Sequence, residues 1–220
     1  MNIQYLWGRN LIFAARWKRI ALICGRKQAY TYTGAVFMRH QAEEMMNQFM
    51  DRYPQLQVCK ESIEKAFQIL KQCYLEGGKV LVCGNGGSAA DSEHIVGELM
   101  KGFLLKRRIC DEDVEKIKAL FPEDYAYLSA HLQGVLPAIS LVSQPAFSTA
   151  FINDVAADMV FAQQVYGYAK KGDVLVGLST SGNSKNVVNA IKIAKAMGVG
   201  AIGLTGKSGG SMGDICDVTV

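Results

Sequence analysis

Residues 80–91 read VLVCGNGGSAAD, and residues 174–186 read VLVGLSTSGNSKN. Each begins as a short apolar run, breaks into small hydroxyl- or amide-bearing residues, and passes into a helical pattern. The same sequence of events, strand to turn to helix, recurs downstream of residue 78. KVLVC (79–83), PAISLV (137–142), GDVLVGLS (172–179), GVGAIGLTG (198–206) and CDVTV (216–220) read as five strands. Helical patterns fill 88–103, 147–169 (with a break near Asn153) and 184–197, the last with Val187, Val188, Ile191 and Ala194 on one face. Alternation of this kind predicts an α/β fold: an open, mostly parallel five-stranded sheet with helices on both faces. A long N-terminal helix over 39–76 is expected to precede it. Its face is Ile63, Phe67, Leu70 and Tyr74, and Gly77-Gly78 stops it.

Composition limits the alternatives. The chain has 220 residues, 50% hydrophobic and 20% charged, with 22 Gly against 4 Pro. That suits one globular domain and excludes a disordered or fibrous chain. No apolar run is long enough to span a membrane. The six Cys show no C-x-x-C pair, so reduced thiols are expected rather than a disulfide frame or a zinc knuckle. The net charge of +4 is uneven. Residues 1–37 hold six basic residues and no acid, leaving 18 basic and 20 acidic residues in 38–220. A near-neutral body gives no footprint for nucleic acid, and neither nucleic acid nor membrane is expected as a partner of it. The basic leader 1–37 has three readings: an organelle transit peptide, an interfacial amphipathic segment (LIFAARWKRIALI, 11–23), or non-native residues upstream of a start at Met38. The abrupt change of composition favours the third. Residues 104–136 read as an insertion or lid, with Asp111 as the N-cap of a short amphipathic helix.

In an open parallel sheet, ligands sit beyond the carboxyl ends of the strands, at the first turns of the helices. Both Gly/Ser-rich turns fall there. Free backbone N–H groups and the positive end of the helix dipole would meet four uncharged hydroxyls, Ser179, Thr180, Ser181 and Ser184, and that is a cradle for a phosphate monoester. Either turn alone would also serve as a tight turn with a serine cap; the pair makes that bland account weaker. Neither fits G-x-G-x-x-G or G-x-x-x-x-G-K-[ST], which disfavours NAD and ATP. In the helix after the first turn, His94 and Glu98 share a face, with Asp91 and Glu93 close by. A carboxylate read as lying in the second turn could reach a substrate whose phosphate sits at the other turn. The two residues could equally supply half of a divalent-metal site, or form an ordinary i,i+4 surface pair.

CGNGGSAADSEHIVGEL (83–99), LSTSGNSKNVVNAI (178–191) and GLTGKSGG (203–210) together resemble the sugar isomerase (SIS) domain, and within it the phosphoheptose isomerases. The resemblance covers roughly 39–220 and is strongest at 79–103 and 137–215. It implies conversion of sedoheptulose 7-phosphate to D-glycero-D-manno-heptose 7-phosphate. Asn85, Gly86, Gly87 and Ser88 match the first substrate-contacting turn, Asn153-Asp154 a pair lining the sugar site, and Ser179, Thr180, Ser181 and Ser184 the phosphate-binding hydroxyls. His94 matches a zinc ligand; Glu98 matches the acid/base carboxylate, which also meets the metal. Zinc, one ion per subunit with its other ligands outside this chain, a homotetramer built through 39–76 and a cytoplasmic location come with the resemblance. Relatives continue into a helix bearing Gln and His. The expectation is therefore a SIS domain over 38–220 lacking its C-terminal helix, with low activity for a chain ending at Val220. The rival expectation is a non-catalytic SIS module that binds a sugar phosphate or a protein partner. An aminosugar-phosphate isomerase or lyase fits the first turn less well.

Overall fold

The computed structural model describes residues 44–102, 106–206 and 208–220. The leader 1–37 and the start of the expected N-terminal helix lie outside the described residues. Within them, the expected single helix is two. Residues 44–52 are helical, Pro54–Cys59 form a 3-10 turn, and α1 runs from Lys60 to Leu75. Pro54 explains the break, because proline lacks the N–H that a continuing helix needs. The two helical pieces meet through Met46, Met50 and Ile63.

Five strands follow: β1 (Val80–Gly84), β2 (Ala138–Ser140), β3 (Val174–Ser179), β4 (Gly200–Thr205) and β5 (Val218–Thr219). They stand in the order β2-β1-β3-β4-β5 and every pairing is parallel. The sequence pattern marks no helix between the last two strands, yet a parallel pair needs a crossover. The structure supplies it as α8 (Gly210–Ile215). The other helices are α2 (Gly87–Met100), α3 (Asp111–Leu120), α4 (Tyr125–His131), α5 (Pro145–Asp154), α6 (Val160–Tyr168) and α7 (Lys185–Ala196).

Strand residues alternate between two cores. Val80, Val82, Val174, Val176 and Ile202 face α1 and α2, whose Ala66, Tyr74, Ile95 and Leu99 close that layer. Leu81, Cys83, Leu175 and Ala201 face the other way, against Val165, Val187, Ile191 and Met212 of α6, α7 and α8. A sheet covered on both faces needs apolar residues at every strand position, which is why the strands read as unbroken apolar runs. The apolar side chains of α2 are only partly buried. Ile95 and Leu99 pack inward, whereas Met100 is exposed.

The insertion or lid expected over 104–136 is helical in part of its described residues, and the short helix expected near Asp111 is there. The excursion holds α3 and α4, which pack on each other and bury no residue. Asp111 is the first helical residue and Cys110 occupies the N-cap position, without a side-chain capping bond. Three acids in the first turn still complement the helix dipole. The described cysteines are all free thiols, and burial pushes Cys73 and Cys83 up to about 12. No helix among the described residues is long and apolar enough to cross a membrane.

Candidate active site

The strand order reverses direction between β1 and β3: from β1 the chain goes outward to β2, then returns to the far side for β3. Such a switch point opens a crevice at the carboxyl ends of the strands. The two Gly/Ser turns lie on its two lips. Asn85, after β1, and Asn186, in the first turn of α7, exchange amide hydrogen bonds across it. Asn85 Nδ2 donates to Asn186 Oδ1 at 2.8 Å, and Asn186 Nδ2 donates to Asn85 Oδ1 at 2.9 Å. Sequence reasoning missed Asn186, although its place at a helix start facing the other turn was the available signal.

Gly86 and Gly87 begin α2 and leave open ground. A Cβ at either would meet nothing within 4 Å, so a ligand has access to the backbone there. Ser88, expected to touch substrate, is buried. On the other lip, Ser179 is buried and its hydroxyl pairs with Ser184 Oγ at 2.9 Å. Ser181 Oγ accepts from the Asn183 N–H at 3.2 Å. Thr180 and Ser181 are exposed. Ser179, Ser181 and Ser184 thus form one hydroxyl cluster at the end of β3, with Thr180 between them in the chain.

A second loop braces this cluster. The Asn183 amide donates to Ser181 O and accepts from both the N–H and the hydroxyl of Ser211. Gly206 N–H donates to Thr180 O, and Met212 N–H donates to Gly182 O. The GLTGKSGG segment, whose Lys207 is not among the described residues, therefore acts as a buttress for the serine loop.

His94 and Glu98 do share a face of α2. Their nearest atoms, Nε2 and Oε1, are 3.7 Å apart. His94 is half exposed and Glu98 is largely covered, at 13% side-chain exposure. The Glu98 Oε2 atom is buried with no hydrogen-bond partner. Glu93 accepts a hydrogen bond from Ser143 Oγ, and burial lifts the Asp91 carboxyl above its usual range against the opposing pull of His94.

The structure corrects the expected position of Glu98. It lies in the last turn of α2, not the second, about 16 Å along the axis from Gly87 at 1.5 Å per residue. Leu136 confirms the direction. Its N–H, just before β2 begins, donates to Leu99 O at 3.0 Å. The end of α2 therefore sits by the amino edge of the sheet, while the serine loop occupies the carboxyl edge. Asn153 and Asp154 close α5, are exposed, and bond to each other, Asn153 Nδ2 donating to Asp154 Oδ1.

The described residues do not complete a donor set for zinc. Among the described residues no group of three or more His, Cys, Asp and Glu side chains could hold a metal ion. His94 and Glu98 would supply two of the four ligands that zinc usually takes.

The family model for the SIS domain matches residues 44–123 and 125–206. The chain belongs to the SIS domain family. Within that family it is similar to curated phosphoheptose isomerases. That of Aliarcobacter butzleri is 39% identical over 165 residues, 75% of this chain and 74% of the relative. That of Rhodospirillum rubrum is 38% identical over 170 residues, 77% of each. The solved phosphoheptose isomerase from Neisseria gonorrhoeae superposes with a TM-score of 0.57 at 31% identity, covering 86% of this chain and 84% of that one. The enzyme from Francisella tularensis gives 0.59 at 26% identity, covering 81% and 84%. This SIS domain is thus an isomerase-type enzyme of the phosphoheptose isomerase branch.

Proposed function

We propose that this SIS domain converts sedoheptulose 7-phosphate to D-glycero-D-manno-heptose 7-phosphate. The phosphate is held by the 179–184 hydroxyls and by the N–H groups at the start of α7. Incoming phosphate oxygens replace the bonds the serines make among themselves. Asn85, with Gly86 and Gly87, receives the sugar on the opposite lip. Glu98 takes a proton from C1, an enediol forms, and the proton is returned to C2; the hydroxyl proton moves from O1 to O2, so the reaction is a net isomerisation. The observation that carries this reading is the hydroxyl cluster at the β1/β3 switch point, braced by its own loop, in a chain similar to phosphoheptose isomerases.

The separation of the two sheet edges adds a requirement. One chain does not bring Glu98 to its own serine loop, so the carboxylate acts on a phosphate held by another copy. A homo-oligomer, a tetramer by the resemblance, meets that requirement. The free thiols fit a reducing compartment, and we place the reaction in the cytoplasm.

The test is Glu98→Gln in the intact protein. Conversion of sedoheptulose 7-phosphate is expected to fall by about 10³-fold or more while sugar-phosphate binding stays within a few-fold. A variant that turns over at near the wild-type rate removes Glu98 from the chemistry. A wild-type protein that binds the sugar phosphate and never converts it is a binding module instead.

A further inference from the structure

We propose that Arg107 is a positioning residue for Glu98, holding the end of α2 from the neck of the 108–133 excursion. The proposal rests on the assignment of Glu98 as the acid/base group. Helix α2 ends at Met100, so the carbonyls of its last turn have no partner inside the helix. Lys101 N–H donates to Gly97 O at 2.9 Å. Arg107 supplies the next two: its Nη2 donates to Leu99 O at 2.6 Å and reaches Glu98 O at 3.5 Å. A helix terminus is usually closed by a glycine just past its end. Here the cap at Lys101 is extended, and a guanidinium from six residues further on does that work.

The other side of the same guanidinium is fixed as firmly. Arg107 Nε donates to Gly134 O at 2.7 Å, and Gly134 N–H returns to Arg107 O at 2.9 Å. A Cβ on Gly134 would lie 2.8 Å from Arg108 O, so the neck is closed to any larger residue without a backbone shift. One planar fork thus ties together the last turn of α2, both ends of the excursion and the approach to β2. Lysine has no equivalent geometry, because it offers a single point charge.

Charge points the same way. A cation at a helix C-terminus meets the negative end of the dipole. Two buried polar atoms lack a hydrogen-bond partner here, Glu98 Oε2 and the Tyr74 hydroxyl. Both residues lie within electrostatic reach of Arg107. Burial lowers the guanidinium's pKa, and Tyr74 and Glu98 oppose that effect. Without Arg107 the two carbonyls must find water and the turn frays. A displacement of an ångström at a reacting group is enough to cost about 100-fold in rate.

Arg107→Met and Arg107→Lys, made in the intact protein beside Glu98→Gln, test this. In Arg107→Met, kcat for the sugar phosphate is expected to fall about 100-fold with KM within about threefold. Amide exchange across 97–101 is expected to accelerate, with β3 and α7 as protected as in the wild type. Arg107→Lys is expected to fall between the two, which also provides a reading should the methionine variant fail to fold. Wild-type exchange across 97–101 in a folded variant overturns the proposal. So does an unchanged kcat beside an inactive Glu98→Gln, because the arginine would then cap without positioning. Activity surviving in Glu98→Gln overturns the acid/base assignment, and with it this role for Arg107.

Discussion

Gly182 carries the tightest backbone constraint in the serine loop. Its φ is +67°, and a Cβ there would stand 1.8 Å from the Gly209 carbonyl oxygen. Gly86, on the opposite lip, also has positive φ (+55°) but meets nothing within 4 Å. The two separate backbone strain from steric exclusion. Gly86→Ala is expected to cost only the strain of a backbone at φ +55° and ψ −120°, about 1–3 kcal/mol. Gly182→Ala must also push the 206–212 buttress away, and roughly 3 kcal/mol or more is expected. Urea unfolding of both variants measures the gap; equal losses would mean that the buttress yields freely. At this scale the sequence was informative where chemistry repeats along the chain. The serines stood out because four hydroxyls crowd one strand end. Asn186 and Arg107 did not, because each acts on a partner distant in sequence, 101 residues away for Asn85 and 27 for Gly134. Only the place of Asn186 at a helix start hints at its role; nothing in the local pattern marks Arg107.

At the scale of elements, β5 depends on one carboxylate. Asp217 accepts the Ala201 N–H at 2.7 Å, pairs with Lys195, and returns its own N–H to Ala201 O at 2.9 Å. Burial works to raise its pKa, but the Lys195 and Ala201 hydrogen bonds outweigh it, and the carboxyl titrates below its ordinary 3.8. A group whose pKa is lower folded than unfolded binds fewer protons in the native state. Its contribution is therefore complete above the unfolded value and fades as pH falls through the folded one. Wild type is expected to exceed Asp217→Asn in stability at about pH 6, with the margin closing as pH falls below the ordinary carboxylate range in urea titrations. A margin independent of pH would rule out the charged carboxylate as its source. Elements themselves were legible where periodicity was long. All five strands begin and end within two residues of their expected limits, and the break near Asn153 lies at Val155–Ala156. The misses have physical causes. α8 is six residues, too short and glycine-rich for any period to show, and α4 buries nothing, so it has no core face to announce it.

For the whole molecule, the parallel sheet with two covered faces was legible because apolar strands alternate with amphipathic helices. What no linear pattern displays is which edge of the sheet a residue reaches. Glu98 and the serine loop belong to the same family motif set, yet α2 runs back along the sheet and carries the carboxylate to the opposite edge. The proposed reaction therefore depends on two copies, one offering the hydroxyl cluster and the other the acid/base group. Co-expression of Glu98→Gln with a Ser179→Ala/Ser181→Ala double variant, each carrying its own tag, tests that dependence directly. Each variant alone is expected to be almost inactive toward sedoheptulose 7-phosphate. In purified hetero-oligomers of random composition, about one site in four combines an intact loop from one copy with an intact glutamate from the other, so roughly a quarter of wild-type activity is expected to return. Hetero-oligomers as inactive as their parents would contradict the account.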